Sequence, residues 1–493
     1  MVSSGIALGL TLAVVLVVAA VGTLASRGRI GSVEGFITAR DSTGGGALTA
    51  TLVASSMGAW ILFSPAEAGA AFGGVAAVIG YAVGSALPMV VYAGLGPRIR
   101  RLIPRGHSLT EYAYARYGGA MYAYVLVVTV TYMFTFLAAE MTGITGALAL
   151  VAGVPRWQTA AVVGFAVLAY TTYGGLRASI ATDVVQTLVI LPLLAVTFGG
   201  ALLALGGTDA VHADIVAADP RLLDPGFLVG VEFGAYVAVA ILAAEMLNQA
   251  WWQRVYAARG ERELRRSFLL TALTVVPMVF LAGLFGLVAQ GRGLVEGNAS
   301  VSFFLVVDAV LPEWVVLGVV VLAVLLVTSS ADTMLNAIAS VVTADLPRLV
   351  DLRDRALTAG ARLLTVVVAL AAIVVGAQGY SVLTVFLTAD LLAAATFVPL
   401  LAGLYTHRVR GSSALVASVA GLLVGAAFFP PARAVVPLSA PTPSFFAAFV
   451  GAAGVSSGVT VLLAALLPAE YDLGRLRREV TRLDGTADGG ERE

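Results

Sequence analysis

No cysteine and no lysine occurs among the 493 residues. Disulfides, thiol catalysis and cysteine-ligated metals are therefore excluded. Positive charge is carried by 29 arginines alone, balanced by 29 acidic residues. Histidine is nearly missing as well: His107, His212 and His407 are scattered, read as loop or interfacial residues, and suggest no metal centre. The chief scarcity is charge itself. Only 12% of residues are charged, against about 25% in an ordinary soluble protein. A soluble chain of this length would divide into about three domains, each needing a charged skin. This composition cannot supply those skins, so lipid must be the main solvent. That excludes a soluble enzyme, a nucleic-acid binder and a disordered scaffold.

What is present is apolar: 59% of residues are hydrophobic and the mean hydropathy is +0.95. A helix needs about 20 mainly apolar residues to cross the hydrocarbon core. Thirteen segments meet that need: 5–25, 47–70, 74–95, 119–148, 157–175, 180–205, 227–249, 267–290, 313–341, 357–378, 382–406, 412–430 and 443–467. The first lacks the basic start of a signal peptide and is long enough to span, so it is read as a span. The runs are continuous rather than alternating, which argues against a β-barrel.

Arginine placement sets the orientation. With the N-terminus outside, 25 arginines fall on the inner side and four, Arg156, Arg221, Arg292 and Arg433, on the outer side. The chain is expected to run N-out and C-in. Of the outer connections, 206–226 is acidic and turn-rich, and 291–312 is expected to hold a short surface helix. After Pro468 comes a charged amphipathic piece and then GTADGGERE, read as disordered. No connection is long enough for a nucleotide-binding, kinase or receptor domain.

Function must then lie among the spans, where polar residues are costly and informative. Four places stand out. Ala54-Ser55-Ser56-Met57-Gly58 is a small, polar patch in mid-span, with Pro65 and Glu67 beyond it. Such a patch allows a helix to unwind and free carbonyls for a cation, although small residues also serve close helix packing. Thr328-Ser329-Ser330-Ala331-Asp332-Thr333 sets hydroxyls and a carboxylate in a Val/Leu helix. Oxygen ligands of this kind suit a hard cation. Gly174 to Gln186 combines a glycine pair suited to a tight turn, Thr182 and Asp183 as candidate helix caps, and Gln186 entering the span. Asn248 to Arg254 carries a tryptophan pair read as marking the membrane interface, with Arg254 on the inner side.

Taken together these stretches resemble the sodium/solute symporter family, which includes the sodium–proline and sodium–sugar symporters. GGLRASIATDVVQ (174–186), NQAWWQRVYAAR (248–259) and SSADTMLNA (329–337) match its signatures, with Ser179 replacing the usual Val. TEYAYARYGG (110–119) and FVPLLAGLY (397–405) add to the match in family order. The resemblance implies an all-α polytopic membrane protein with a LeuT-type core of two inverted five-helix repeats. Those repeats would occupy 47–205 and 227–406. Around them lie a first helix and inner loop (1–46), an outer loop (206–226), two accessory helices (407–467) and a cytoplasmic tail (468–493).

The resemblance further implies alternating access, with sodium as the coupling ion. Sodium would be held by the carbonyls of Ala54 and Met57 and the hydroxyls of Ser329 and Ser330, with Asp183 on its exit path. Substrate contacts are expected from Ser56, Glu245 and Glu140. Glu245 falls where relatives often place an aromatic contact, so a carboxylate there points to a cationic or N–H-rich group. Solvation or pairing of Glu245 with arginine is the alternative. Glu67 and Asp390 are further acids within spans, and any of these acids could instead take up a proton. Ser56 stands where proline transporters tend to carry Asp, which argues against strict proline specificity.

The expected activity is uptake of a small nitrogenous solute, an amino acid, urea or an amine, across the plasma membrane by a monomer or loose homo-oligomer. Proton coupling and a sugar or monocarboxylate substrate are the alternatives. A channel is disfavoured by the single-chain repeat. A membrane enzyme would need a nucleophile or metal cluster that the sequence does not offer. A sensor would need a signalling partner.

Overall fold

A computed structural model describes residues 2–27, 38–295, 297–349, 354–435 and 441–480. Among them no β-sheet forms; Thr43 and Ala258 make an isolated bridge. The chain runs through α1 (Ser4–Ser26), α2 (Gly45–Ser56), α3 (Ser64–Ala71), α4 (Gly74–Leu102), α5 (Leu109–Tyr117), α6 (Gly119–Ala152) and α7 (Arg156–Ala204). It continues through α8 (Thr208–Ala218), α9 (Leu228–Met246), α10 (Gln249–Ala257), α11 (Glu261–Gly291), α12 (Ser302–Val310) and α13 (Glu313–Leu349). Then follow α14 (Asp354–Gly376), α15 (Val382–Ala402), α16 (Gly411–Phe428), α17 (Pro430–Val435), α18 (Phe445–Leu466) and α19 (Gly474–Glu479).

Among the described residues, ten helical stretches are long and apolar enough to cross a membrane, and the bent pair α2–α3 makes eleven. The other two expected segments, 157–175 and 357–378, fall on the first arm of α7 and on α14. Leu188, Leu203, Leu273, Leu423 and Val461 face outward from these helices. Apolar surface on this scale is tolerable only in hydrocarbon. The polar residues point inward instead, where helices approach closely. A Cβ on Gly80 would lie 2.2 Å from the Gly234 Cα, so α4 and α9 cross backbone to backbone.

The loops grouped by arginine content do meet. At one end, Arg40 donates to the Pro104 and Gly106 carbonyls, both at 2.8 Å, and Arg100 to Asp41 at 2.6 Å. Arg98 reaches the Leu404 carbonyl at 2.7 Å, and Arg410 the Pro468 carbonyl at 3.0 Å. At the other end Arg292 holds Asp214 at 2.8 Å and the Leu205 carbonyl at 3.2 Å.

Three local expectations are corrected. The stretch 206–226 is not simply turn-rich, since it forms α8 and a short 3-10 turn at Pro220–Leu223. The helix in 291–312 is not superficial. Phe303, Phe304, Val306 and Val307 of α12 are fully buried, and Phe304 packs on Phe63 at 4.9 Å. Its apolar residues cover one full face, which a surface helix would leave wet. Of the two readings of His107 the interfacial one is set aside: it lies in the loop before α5 and is buried there, with Nδ1 3.1 Å from Glu111 Oε2. The tail GTADGGERE lies outside the described residues.

Candidate functional site

Two helices are interrupted, one in mid-span and one at the end of its apolar run. The first break separates α2 from α3, whose axes differ by 58°. Met57 and Gly58 are extended there, and a 3-10 turn, Ala59–Leu62, follows. The sequence explains this. Ser56 turns its hydroxyl back onto the Val53 carbonyl at 2.9 Å, and Pro65 starts α3 where a missing N–H costs nothing. The second break separates α9 from α10 at Leu247–Asn248. Asn248 makes it by serving both sides. Its Oδ1 accepts from the Ala250 N–H at 3.0 Å, capping α10, while its Nδ2 donates to Glu245 Oε2 at 2.9 Å.

The residues proposed for the ion gather at the first break. Ser329 donates to Asp183 Oδ1 at 2.6 Å, and Ser330 to Glu140 Oε2 at 2.7 Å. Glu140 Oε2 also accepts from the Ala59 N–H at 2.6 Å. Thus α13, α6 and the backbone that follows the end of α2 meet at Glu140. Gly58 leaves the room for this contact, since a Cβ there would lie 2.0 Å from Glu140 Oε1.

A wholly buried polar network extends from this point. Asp183 Oδ2 accepts from Thr51 at 2.5 Å, Ser55 at 3.1 Å and Arg254 at 3.3 Å. Arg254 also donates to Ser55 at 2.6 Å and to Thr333 at 2.9 Å. Ser179 donates to Asp332 at 2.8 Å, and Gln186 to Thr328 at 2.8 Å. All four sequence stretches singled out above converge here. Removing one member of a buried ion pair such as Asp183–Arg254 costs about 3–5 kcal/mol, because the other charge is stranded.

This geometry corrects two readings. Thr182 and Asp183 do not cap a helix. The α7 chain continues past them, kinked earlier at Gly175, whose φ of 55° suits glycine. Trp251 and Trp252 are buried within the protein rather than turned to a membrane surface, and Arg254 is buried with them. Trp252 stacks on Tyr112 at 5.8 Å, and the Trp251 indole N–H donates to Glu245. The polar tip of Trp251, which would seek interfacial water, is satisfied inside.

Next to the network lies a narrow cleft of about 50 Å³. Glu245, Asp390, Ser55 and Ser56 supply its polar groups, and Trp60, Tyr81, Tyr132, Phe136, Trp251 and Phe386 its aromatic walls. Glu245 is fixed by three donors: Tyr132 at 2.9 Å, Asn248 and Trp251. A carboxylate, which only accepts, suits three donors. Asp390 is buried with no hydrogen-bond partner for Oδ1 among the described residues. Among the described residues no arginine lines the cleft.

Glu245 and Ser56 thus line the cleft. Glu140 does not; it stands at the helix break. Glu67 is also elsewhere, holding the Ser381 hydroxyl at 3.0 Å where α15 begins. Asp390 and the aromatic walls other than Trp251 were not singled out from sequence. Asp390 was visible only as one of several acids in spans, and nothing local distinguished those aromatics from core residues.

Apolar spans whose polar groups gather at helix breaks are the build of a secondary transporter. The chain belongs to the sodium:solute symporter family, whose sequence profile matches residues 36–421. It is a multi-pass membrane transporter of a small-molecule solute, not an enzyme. It is 25% identical over 402 residues to the Spermidine transporter DUR31 of Candida albicans, covering 80% of this chain and 75% of that one. It is 26% identical over 161 residues to the Probable urea active transporter 1 of Schizosaccharomyces pombe, covering 33% of this chain and 24% of that one.

Among solved structures, a substrate-bound, outward-open sodium-coupled sialic acid symporter matches 94% of this chain and 99% of its own. That match has a TM-score of 0.76 at 17% identity. Mhp1, a nucleobase–cation symporter in a closed, bromovinylhydantoin-bound form, matches 90% of this chain and 97% of its own, with a TM-score of 0.56 at 15% identity. The fold is therefore LeuT-like.

Proposed function

We propose that the chain is a sodium-coupled symporter that moves a small cationic amine, a polyamine above all, inward across the plasma membrane by alternating access. One observation carries this: two carboxylates, Glu245 and Asp390, face an aromatic cleft that has no basic side chain among the described residues. An ammonium group gains from both features. It neutralises buried acids that would otherwise stand unpaired, and it is attracted to aromatic faces at about 0.5–2 kcal/mol each. Urea and sugars would leave both charges unanswered, and a monocarboxylate would be repelled. The spermidine-transporting relative supports this choice of substrate.

The ion site in this reading consists of the Ala54 and Met57 carbonyls and the Ser329 and Ser330 hydroxyls, with Asp183 on the route inward. The groups suit sodium: Met57 and Gly58 are extended between α2 and the 3-10 turn, and α13 brings hydroxyl oxygens of the kind a hard cation takes. Sodium supplies the driving force, about 2.3 kcal/mol per charge per 100 mV of membrane potential. Thirteen spans, N-out and C-in, complete the reading. Repeats at 47–205 and 227–406 each open on one of the two broken helices, as an inverted pair would. The protein works as a monomer or loose homo-oligomer.

Thermal unfolding of the purified chain, screened against spermidine, putrescine, amino acids, urea, sugars and monocarboxylates, tests the substrate class. A ligand at 100 times its Kd stabilises a fold by about 2.7 kcal/mol, so polyamines should raise the midpoint by several degrees. Stabilisation by urea or a carboxylate, with none by amines, would reject the assignment.

A further inference from the structure

We propose that Glu140 is an anionic ligand of the coupling cation, which makes the loaded ion site electrically neutral; this rests on the sodium-coupled reading above. Glu140 is fully buried in the middle of α6. Its Oε2 is held by the Ser330 hydroxyl at 2.7 Å and the Ala59 N–H at 2.6 Å. The Trp60 N–H also acts on the carboxylate, but Oε1 has no well-aligned hydrogen bond and no arginine pairs with it among the described residues. A buried polar atom without a partner demands an explanation, and a buried charge without a counter-charge is costlier still.

Position narrows the explanation. Oε1 is the atom closest to the Gly58 position: an added Cβ would meet it at 2.0 Å. The unpartnered oxygen therefore faces the backbone at the break. On its other side the carboxylate touches Ser330, one of the two hydroxyls proposed for the ion. A monovalent cation bound among these oxygens would cancel the charge and satisfy Oε1 at once. The neighbouring acid is answered differently: Asp183 accepts from four side chains, and one of them is Arg254. Glu140 has no such cation, so the charge left over at the break belongs to this residue. Contact with the α3 side of the break also explains how ion binding would be felt in the cleft. Ala59, which donates to Glu140, adjoins Trp60 of the cleft wall.

The test is sodium titration of the detergent-purified chain, read by thermal unfolding with potassium holding ionic strength constant. Glu140→Gln keeps the shape and removes the charge; its apparent Kd for sodium should rise by at least about tenfold, since a unit charge near the ion is lost. Glu140→Asp keeps the charge but withdraws it by one carbon, and should fall between the two. If either variant folds and titrates with wild-type affinity, the proposal is overturned while sodium coupling stands. If the wild-type chain shows no response that distinguishes sodium from potassium, the sodium-coupled reading itself fails, and the proposal with it.

Discussion

Asp390→Asn combined with Glu245→Gln is expected to abolish measurable amine binding and uptake. Truncating one partner of a buried, hydrogen-bonded charge pair costs about 2–5 kcal/mol, and each 1.4 kcal/mol is about tenfold in affinity. The double variant should therefore weaken amine binding by more than about a thousandfold. The two positions are not equivalent. Glu245 is anchored by Tyr132, Asn248 and Trp251, so an amide there turns an NH2 toward another donor and disturbs the cap at Asn248. Asp390 has an oxygen with no such obligations. The single Asp390→Asn variant is thus the cleaner probe: it should fold like the wild-type chain and lose about thirtyfold or more in amine affinity. Competition binding with labelled spermidine measures both. Unchanged affinity in Asp390→Asn would remove the charge argument for an amine.

The second large effect is expected at the ion site. Ser329→Ala with Ser330→Ala should eliminate sodium stimulation of uptake, leaving only the rate seen in potassium. The consequences extend beyond two lost oxygen ligands. Ser329 donates to Asp183 at 2.6 Å and Ser330 to Glu140 at 2.7 Å, so both carboxylates lose a donor as well. Each alanine also frees a buried acceptor at about 1–3 kcal/mol, and some loss of thermal stability should accompany the loss of sodium response. Initial uptake rates with sodium and potassium gradients, normalised to folded protein, give the answer. A double variant whose uptake is still accelerated by sodium would place the ion elsewhere.

Much of this site was legible because a membrane makes polar residues conspicuous. Ser329, Ser330 and Asp332 stand in a helix that is otherwise Val and Leu. Such groups persist only if satisfied by partners or used, and the structure supplies the partners in Asp183, Glu140, Ser179 and Thr182. The break at Met57–Gly58 was legible too, since Ser-Ser-Met-Gly combines hydroxyls that compete for backbone carbonyls with a residue of low helix propensity.

What failed were inferences that needed a neighbour from elsewhere in the chain. Glu140 was grouped with the cleft, whereas its hydrogen bond from Ala59, 81 positions away, sets it at the helix break. Trp251 and Trp252 were placed at the interface by an aromatic rule that assumes lipid alongside, yet α10 packs inside and Tyr112 lies alongside instead. Asp390 resembled the other acids in spans until the cleft put it opposite aromatic walls contributed by α4, α6 and α15. In each case local chemistry was read correctly, and the missing information was which helix stood next to it.

The central claim, that a sodium gradient drives this chain to accumulate a cationic amine, is tested most directly in proteoliposomes. Labelled spermidine uptake would be followed with sodium outside and potassium inside, and again with potassium on both sides. The account predicts saturable accumulation above equilibrium only under the sodium gradient, inhibited by other polyamines and not by urea or proline. Equal uptake under both conditions, or sodium-driven accumulation of urea or a carboxylate in place of the amine, would contradict it.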